Sequence, residues 1–272
     1  METEKVHLKK ENETYLITLY GKALDSRKEH PILNDTFANA VVRKIDFDFE
    51  KLKTPKGAEV SLPVRAKHFD GWTREFIAAH PVSTVLNLGC GLDSRVFRID
   101  PPSTVNWYDV DLPDVIDLRK QLFPERHACV LIGSSVTDPG WLERIPGDRP
   151  VIVVAEGLLQ YLTEQEVIAL FSRITGKFPE GQIIFDAYSR NMIRFVLLLA
   201  AARRARPSLL WGIGDSRKLE KEVPRLRLVT EISFLTLPEL VERISPSGIG
   251  RALFRVMGLF MKKMVRHFRY EF

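Results

Sequence analysis

The stretch from Thr84 to Asp111, TVLNLGCGLDSRVFRIDPPSTVNWYDVD, sets the tightest limit on the fold. Thr84-Val85-Leu86-Asn87-Leu88 is a short apolar run of the kind that forms a strand buried on both faces of a parallel sheet. Gly89 and Gly91 follow at once, allowing a sharp turn with positive φ and close approach to a ligand. Leu92 to Ile99 then predicts a short helix whose unpaired N–H groups face that loop. A second apolar run, Val105 to Val110, ends in Asp109 and Asp111, about twenty residues past the glycines. In a doubly wound sheet that position sets a carboxylate beside the ribose of a nucleoside. A dinucleotide site wants a third small residue three positions beyond Gly91. Ser94 stands there, a poor match that leaves a dinucleotide and other nucleoside ligands both open.

The same alternation continues downstream. Pro113 starts a helix to about Leu122, His127 to Gly133 is a strand, and Pro139 opens a short helix. Val151 to Ala155 is apolar throughout and is expected at the centre of the sheet. Thr163 and Glu166 form a capping box ahead of a helix to Lys177. Gln182 to Ala187 is the next strand, followed by an apolar helix from Asn191 to Arg204 and a loop from Pro207 to Lys218. Arg225 to Ser233 alternates like a strand, Pro238 begins a helical stretch to Met264, and Val265 to Phe272 predicts a buried terminal strand. Strand–helix alternation between residues 84 and 187 calls for a parallel sheet with right-handed crossovers, an α/β fold.

Ahead of this core, Glu13 to Leu24, Asp35 to Ile45 and Val64 to Ala79 predict helices, punctuated by Pro31, Pro63 and a loop at Thr54-Pro55-Lys56-Gly57. The expected organisation is a helical N-terminal cap over residues 1–80 and a core over 81–272 with helical insertions at 190–224 and 238–264. Arg65 and His68 lie three apart, on one side of the last cap helix. That helix leads into the first strand, so Arg65 is within reach of the pocket.

The chain has 272 residues, a net charge of +5 and a pI near 9.2. No apolar stretch approaches the ~18 uncharged residues of a spanning helix, and the polar start METEKVHLKKENE has no apolar signal core. Cys90 and Cys129 make neither a disulfide scaffold nor a typical zinc site, so a reducing cytoplasm and no metal are expected. Basic residues gather at Arg203, Arg204 and Arg206 and at Lys262, Lys263, Arg266 and Arg269. No aromatic–basic pattern accompanies them, so they read as a solvated face and no nucleic acid is expected.

Ligands of such sheets sit outside the carboxyl ends of the strands. Those ends carry Gly89 to Gly91, Asp109 and Asp111, Ser134 to Asp138, Glu156, and Asp186 with Tyr188. So many acids disfavour a pyrophosphate and favour a ligand bearing a sulfonium and an ammonium.

Three motifs in this order carry a resemblance: Asn87-Leu88-Gly89-Cys90-Gly91-Leu92-Asp93-Ser94-Arg95, Tyr108-Asp109-Val110-Asp111-Leu112-Pro113, and Ala155-Glu156-Gly157-Leu158-Leu159-Gln160-Tyr161-Leu162. Together they resemble the leucine carboxyl methyltransferase family, and within it the bacterial and fungal O-methyltransferases of polyketide biosynthesis. Leu19-Tyr20-Gly21-Lys22-Ala23-Leu24-Asp25-Ser26-Arg27 and Trp211-Gly212 with Asp215 and Leu219-Glu220 also look like that branch. The resemblance implies a Rossmann-like class I methyltransferase sheet, mostly parallel with an antiparallel C-terminal strand, and S-adenosylmethionine as cofactor. It further implies that Arg65 holds the methionine carboxylate and that Gly89, with Gly91, lines its path. Asp111 binds the ribose, Ser135 and Val136 flank the adenine, and Glu156 receives the amino group. Two departures are Cys90, where the family usually has alanine, and Ser135, where the eukaryotic members have an acid. Lys22 is the candidate for the basic residue those enzymes use near the N-terminus.

The implied reaction is an in-line displacement in which a substrate oxygen attacks the sulfonium methyl, and alignment and dehydration carry the catalysis. A carboxylate acceptor arrives ionised; a phenol or alcohol needs a base, for which His68, Tyr161, Tyr188 and Asp186 are candidates. A small-molecule acceptor of polyketide type is the leading expectation. A protein C-terminal carboxylate, which needs an open charged groove, and a non-catalytic cofactor-binding protein or nicotinamide dehydrogenase are the rivals.

Overall fold

The structure, a computed structural model, describes residues 13–52, 54–55, 57–202, 209–245 and 247–272. It opens with α1 (Glu13–Ser26), α2 (Thr36–Lys44) and α3 (Ala58–Ala79). The loop between the first two is folded around Asp25, whose buried carboxylate accepts the N–H groups of Ile32 at 2.9 Å and Leu33 at 2.8 Å. Asp35 then caps α2 by accepting from Ala38 N at 2.9 Å.

Pro63 was expected to mark the start of the third helix, but α3 runs through it. A proline ring leaves the carbonyl four residues earlier without its N–H partner. Here that carbonyl, on Glu59, accepts from Lys28 Nζ at 3.0 Å, so a side chain from outside the helix replaces the missing bond.

The alternating core follows: β1 (Thr84–Leu88), α4 (Arg95–Ile99), β2 (Asn106–Asp111), α5 (Pro113–Leu122), β3 (Cys129–Gly133), α6 (Gly140–Glu143), β4 (Val151–Ala155), α7 (Glu164–Lys177) and β5 (Gly181–Tyr188). Then come α8 (Arg190–Ala202), α9 (Lys218–Glu222), β6 (Arg227–Ser233), α10 (Pro238–Arg243), α11 (Gly248–Phe260) and β7 (Val265–Glu271). The single helix expected from Pro238 to Met264 is therefore two, the second capped by Ser247, which accepts from Gly250 N at 2.9 Å. The helix expected from Leu92 shrinks to α4, because Leu92 to Ser94 form the turn that carries the glycine loop. Thr163 and Glu166 make the expected capping box on α7.

The strands form a seven-stranded sheet in the order β3-β2-β1-β4-β5-β7-β6. Strands β1 to β5 pair in parallel, and β7 runs antiparallel to both of its neighbours. The order reverses between β1 and β4, and a crevice opens there beyond their carboxyl ends.

Side chains alternate between the two faces of the sheet. Val85, Ile152, Val154 and Ile184 face Phe69, Trp72 and Phe76 of α3. Leu86, Val153, Ile183 and Phe185 face Val167, Leu170, Phe171 and Ile174 of α7. Helix α3 is thus one of the layers that cover the sheet. The first two helices instead make a separate cluster with Leu92 and with Leu118 and Leu122 of α5, beside the crevice.

Candidate active site

The glycine loop is shaped by its neighbours. Gly89 has φ +60° and Gly91 φ +49°, both in the left-handed region that favours glycine. A Cβ on Gly89 would stand 2.8 Å from Leu158 Cδ1, and one on Gly91 3.1 Å from the Tyr15 ring. Asp111, at the end of β2, ties the loop down: its carboxylate accepts Gly91 N–H and Leu112 N–H, each at 2.7 Å. Burial raises its pKa, opposed by these two bonds.

Glu156 sits just past β4 and is ringed by cations. Arg65 Nε donates to its Oε1 at 2.9 Å, Arg95 bonds its other oxygen, and Lys22 bonds Asp93 close by at 2.9 Å. Burial works against ionisation of Glu156, but the charges of Lys22, Arg65 and Arg95 outweigh it and lower the pKa to about 2. Arg65 also reaches Asp186 at 3.2 Å, whose second oxygen accepts Gly157 N–H at 2.6 Å. Burial raises the Asp186 pKa. Arg95, 1% exposed, is held further by Asp70 at 2.8 Å, Asp93 at 3.1 Å and Asn87 at 3.2 Å.

These pairs correct the expectation of a bare acidic rim. Asp109 in particular does not face the crevice: it is buried, bonded to Arg119, to Asn87 Nδ2 at 2.8 Å and to Trp107 Nε1 at 2.9 Å. The carboxylates are embedded among arginines, and what the crevice presents is a balanced mixture of both signs.

Two adjoining cavities occupy it, sharing Tyr15, Gly89, Gly157 and Tyr161. One, of about 100 Å³, is lined by Lys22, Arg65, Asn87, Asp93, Arg95 and Glu156 among others. The other, of about 350 Å³, lies against Asp111, Leu112, Ser135, Val136, Leu158 and Leu162. A zwitterionic amino-acid end suits the first, and a ribose with a flat apolar base suits the second. Tyr15 of α1 spans both, its phenol raised to about 12 by burial and by Asp111 and Asp114.

All seven residues expected at a cofactor, Arg65, Gly89, Gly91, Asp111, Ser135, Val136 and Glu156, line one or other cavity. Of the residues expected at the acceptor, Tyr161 lines both. Tyr188 lines neither, though it lies near Arg65, Asp186 and Tyr161, and burial raises its pKa. His68 is elsewhere, a correction to its expected place. Its ring packs on Trp72 and its Nδ1 lies 2.8 Å from His267 Nδ1, over β7. Three positions along α3 carry a side chain most of the way round one turn, and here that small offset moves it from the crevice to the neighbouring strand. Tyr15 and Arg95 were missed by sequence reasoning, as was the ion-pair network itself.

A sheet of this strand order, with one antiparallel strand next to the edge and paired cavities at the reversal, defines a class I methyltransferase. Over 239 residues, 88% of each chain, the sequence is 42% identical to the tetracenomycin polyketide synthesis O-methyltransferase TcmP of Streptomyces glaucescens. Over 245 residues, 82% of each chain, it is 35% identical to the S-adenosyl-L-methionine-dependent methyltransferase dpfgK of Gibberella zeae. The crystal structure of a DUF574 family protein from Streptomyces avermitilis matches the fold with a TM-score of 0.55 over 94% of this chain and 96% of that one, at 12% identity. The leucine carboxyl methyltransferase family profile matches residues 16–130. The chain belongs to that family and is an S-adenosylmethionine-dependent methyltransferase.

Proposed function

We propose that this enzyme transfers a methyl group to an oxygen of a small, polyketide-type acceptor. The relationship to the Streptomyces glaucescens enzyme, 42% identical over 88% of either chain, carries this reading. The bound cofactor supplies an electrophilic methyl on a sulfonium.

The chain's own residues account for holding and orienting that group. In this reading Arg65 takes a carboxylate, Glu156 an ammonium and Asp111 the ribose hydroxyls, while Ser135 and Val136 border the base. The fit rests on the glycine cradle: positive φ at Gly89, Gly91 and Gly157 keeps Cβ atoms out of the space between Tyr15, Leu158 and Arg65. We assign α1 the role of a cap, with Tyr15 closing the crevice and excluding water from the reacting atoms.

The state of the side chains favours an acceptor that arrives ionised, a carboxylate or an acidic phenol. Among the described residues lining the two cavities, Glu156 and Asp93 are held as carboxylates by arginine and lysine and are weak bases, while Asp111, whose pKa burial raises, is engaged by the N–H groups of Gly91 and Leu112. Tyr15 stays a neutral phenol near pH 7, and so does the neighbouring Tyr188, whose pKa burial raises. Tyr161, 40% exposed and lining both cavities, takes the role of positioning the acceptor in this reading. A methyl-transfer assay with labelled cofactor against aromatic carboxylic acids and phenols tests the reading. Labelling confined to a peptide carboxyl terminus would replace it with the protein-methylating alternative.

A further inference from the structure

Helix α11 is turned inside out. A surface helix ordinarily points its apolar stripe at the core and its charges at water. In α11 the positions facing the protein are Gly250, Arg251, Phe254 and Gly258, and a Cβ on Gly258 would come within 2.8 Å of the Leu235 carbonyl. The outward positions are Ile249, Leu253, Val256, Met257, Leu259 and Phe260, from 46% exposed at Met257 to 87% at Phe260. Helix α8 shows the same character, with Phe195 53% and Leu198 69% exposed.

Both helices join the sheet at one place. α8 leaves β5 and α11 returns through Met264 to β7, where Ser189 N–H bonds the Met264 carbonyl at 2.8 Å. This is the end of β5 that carries Asp186 and Tyr188, so both helices join the sheet on the side where the strands' carboxyl ends and the crevice lie.

Charge accompanies the apolar face. The sequence has no Asp or Glu in residues 187–214 or 243–270, yet those two segments hold twelve of its 40 Lys and Arg residues. The remainder of the chain carries 28 basic residues against all 35 acids and is net negative. The basic cluster is not the uniform solvated face expected from sequence. Arg266 is buried on Glu231, and Arg269 bonds Glu75 over the Trp72 ring. Arg194, Arg255, Lys262 and Lys263 are exposed. Arg203, Arg204 and Arg206 lie outside the described residues.

We infer that α11, with α8, docks this enzyme peripherally on an anionic lipid bilayer. An outward apolar row ending in Phe260 and followed at once by Lys262 and Lys263 has the chemistry of a helix lying at a membrane interface. No helix among the described residues is long and apolar enough to cross the membrane. A second copy fits less well, since this face carries cations and no Asp or Glu with which a second copy could pair them. Delivery of an apolar acceptor from the lipid to the crevice rests on the methyl-transfer reading; the docking does not.

Sedimentation of the full chain with phosphatidylcholine vesicles, with and without phosphatidylglycerol, tests this. The wild type is expected to pellet with the anionic vesicles, at least about tenfold more tightly than with the neutral ones, and to be released by added salt. Leu253→Glu with Phe260→Glu, and separately Lys262→Gln with Lys263→Gln, should each weaken binding about tenfold with S-adenosylmethionine affinity unchanged. Absence of wild-type binding, equal binding by the variants, or a solution dimer or protein complex that the same variants dissociate without any vesicle binding would overturn it. Loss of cofactor affinity in the wild type would instead count against the methyl-transfer reading.

Discussion

Arg65 and Glu156, 91 positions apart in the chain, meet through a 2.9 Å hydrogen bond at the mouth of β4, and Arg95 holds the other side of the same carboxylate. The pair joins a helix on one face of the sheet to the loop at the strand reversal. It therefore ties the fold together at the edge of the proposed cofactor site.

Replacing Glu156 with alanine removes one partner from two arginines at once. S-adenosylmethionine binding is expected to weaken by about 1 to 3 kcal/mol through loss of a charged hydrogen bond. Urea unfolding should show a stability loss of about 1 to 3 kcal/mol, the cost of one lost charged hydrogen-bond partner, because Arg65 keeps Asp186 and Arg95 keeps Asp70 and Asp93. Unchanged affinity would remove Glu156 from the site.

Gly91→Ala tests the cradle. The left-handed backbone there costs a Cβ-bearing residue about 1 to 2 kcal/mol, and the added methyl would press on Tyr15 at 3.1 Å. In a Tyr15→Ala background the cost should shrink toward the backbone part alone, a coupling that a double-mutant cycle by urea denaturation measures.

The pH dependence of stability has a definite sign at Glu156. Its folded pKa, lowered from 4.5 to about 2, contributes stability that is fully present above 4.5 and lost as pH falls toward 2. The full effect is on the order of 3 kcal/mol. Asp111 and Asp186 act oppositely, since burial raises their pKa and favours the protonated fold. The stability gap between wild type and Glu156→Gln is therefore expected to close between about pH 5 and pH 2 in urea titrations. On the alkaline side, Tyr15, raised from 10.0 to about 12, adds stability that disappears as pH climbs through that interval.

Removing residues 267–272 takes away most of β7, including His267, Phe268 and Tyr270, each 0% exposed. That strand joins β5 to β6, so the deletion exposes two strand edges and part of the core. Circular dichroism should report loss of the cooperative transition; a tolerated deletion would show that β6 and β7 are dispensable.

Where local pattern decides structure, the sequence was readable. β1 and β4 are short branched runs between turn residues, α5 starts at a proline and α7 at a capping box, and each falls within the expected bounds. Gly89, Gly91, Asp111 and Glu156, which line the cavities, were legible through family motifs that fall at strand ends. Arg95 was not, because its partners Asp70 and Glu156 lie 25 and 61 positions away and a five-residue helix carries no periodic signal. Tyr15 was hidden for a related reason: on an amphipathic helix nothing local separates the aromatic residue that meets a ligand from those that meet the core. Where α3 continues through Pro63, the freed Glu59 carbonyl is met by Lys28, a tertiary partner that no propensity reports.

The most direct test is calorimetric titration of the wild-type chain with S-adenosylmethionine and, in parallel, with NAD. Saturable binding of one S-adenosylmethionine per chain, with no heat from NAD, is the predicted result. Tight NAD binding without S-adenosylmethionine binding would contradict the assignment of the paired cavities.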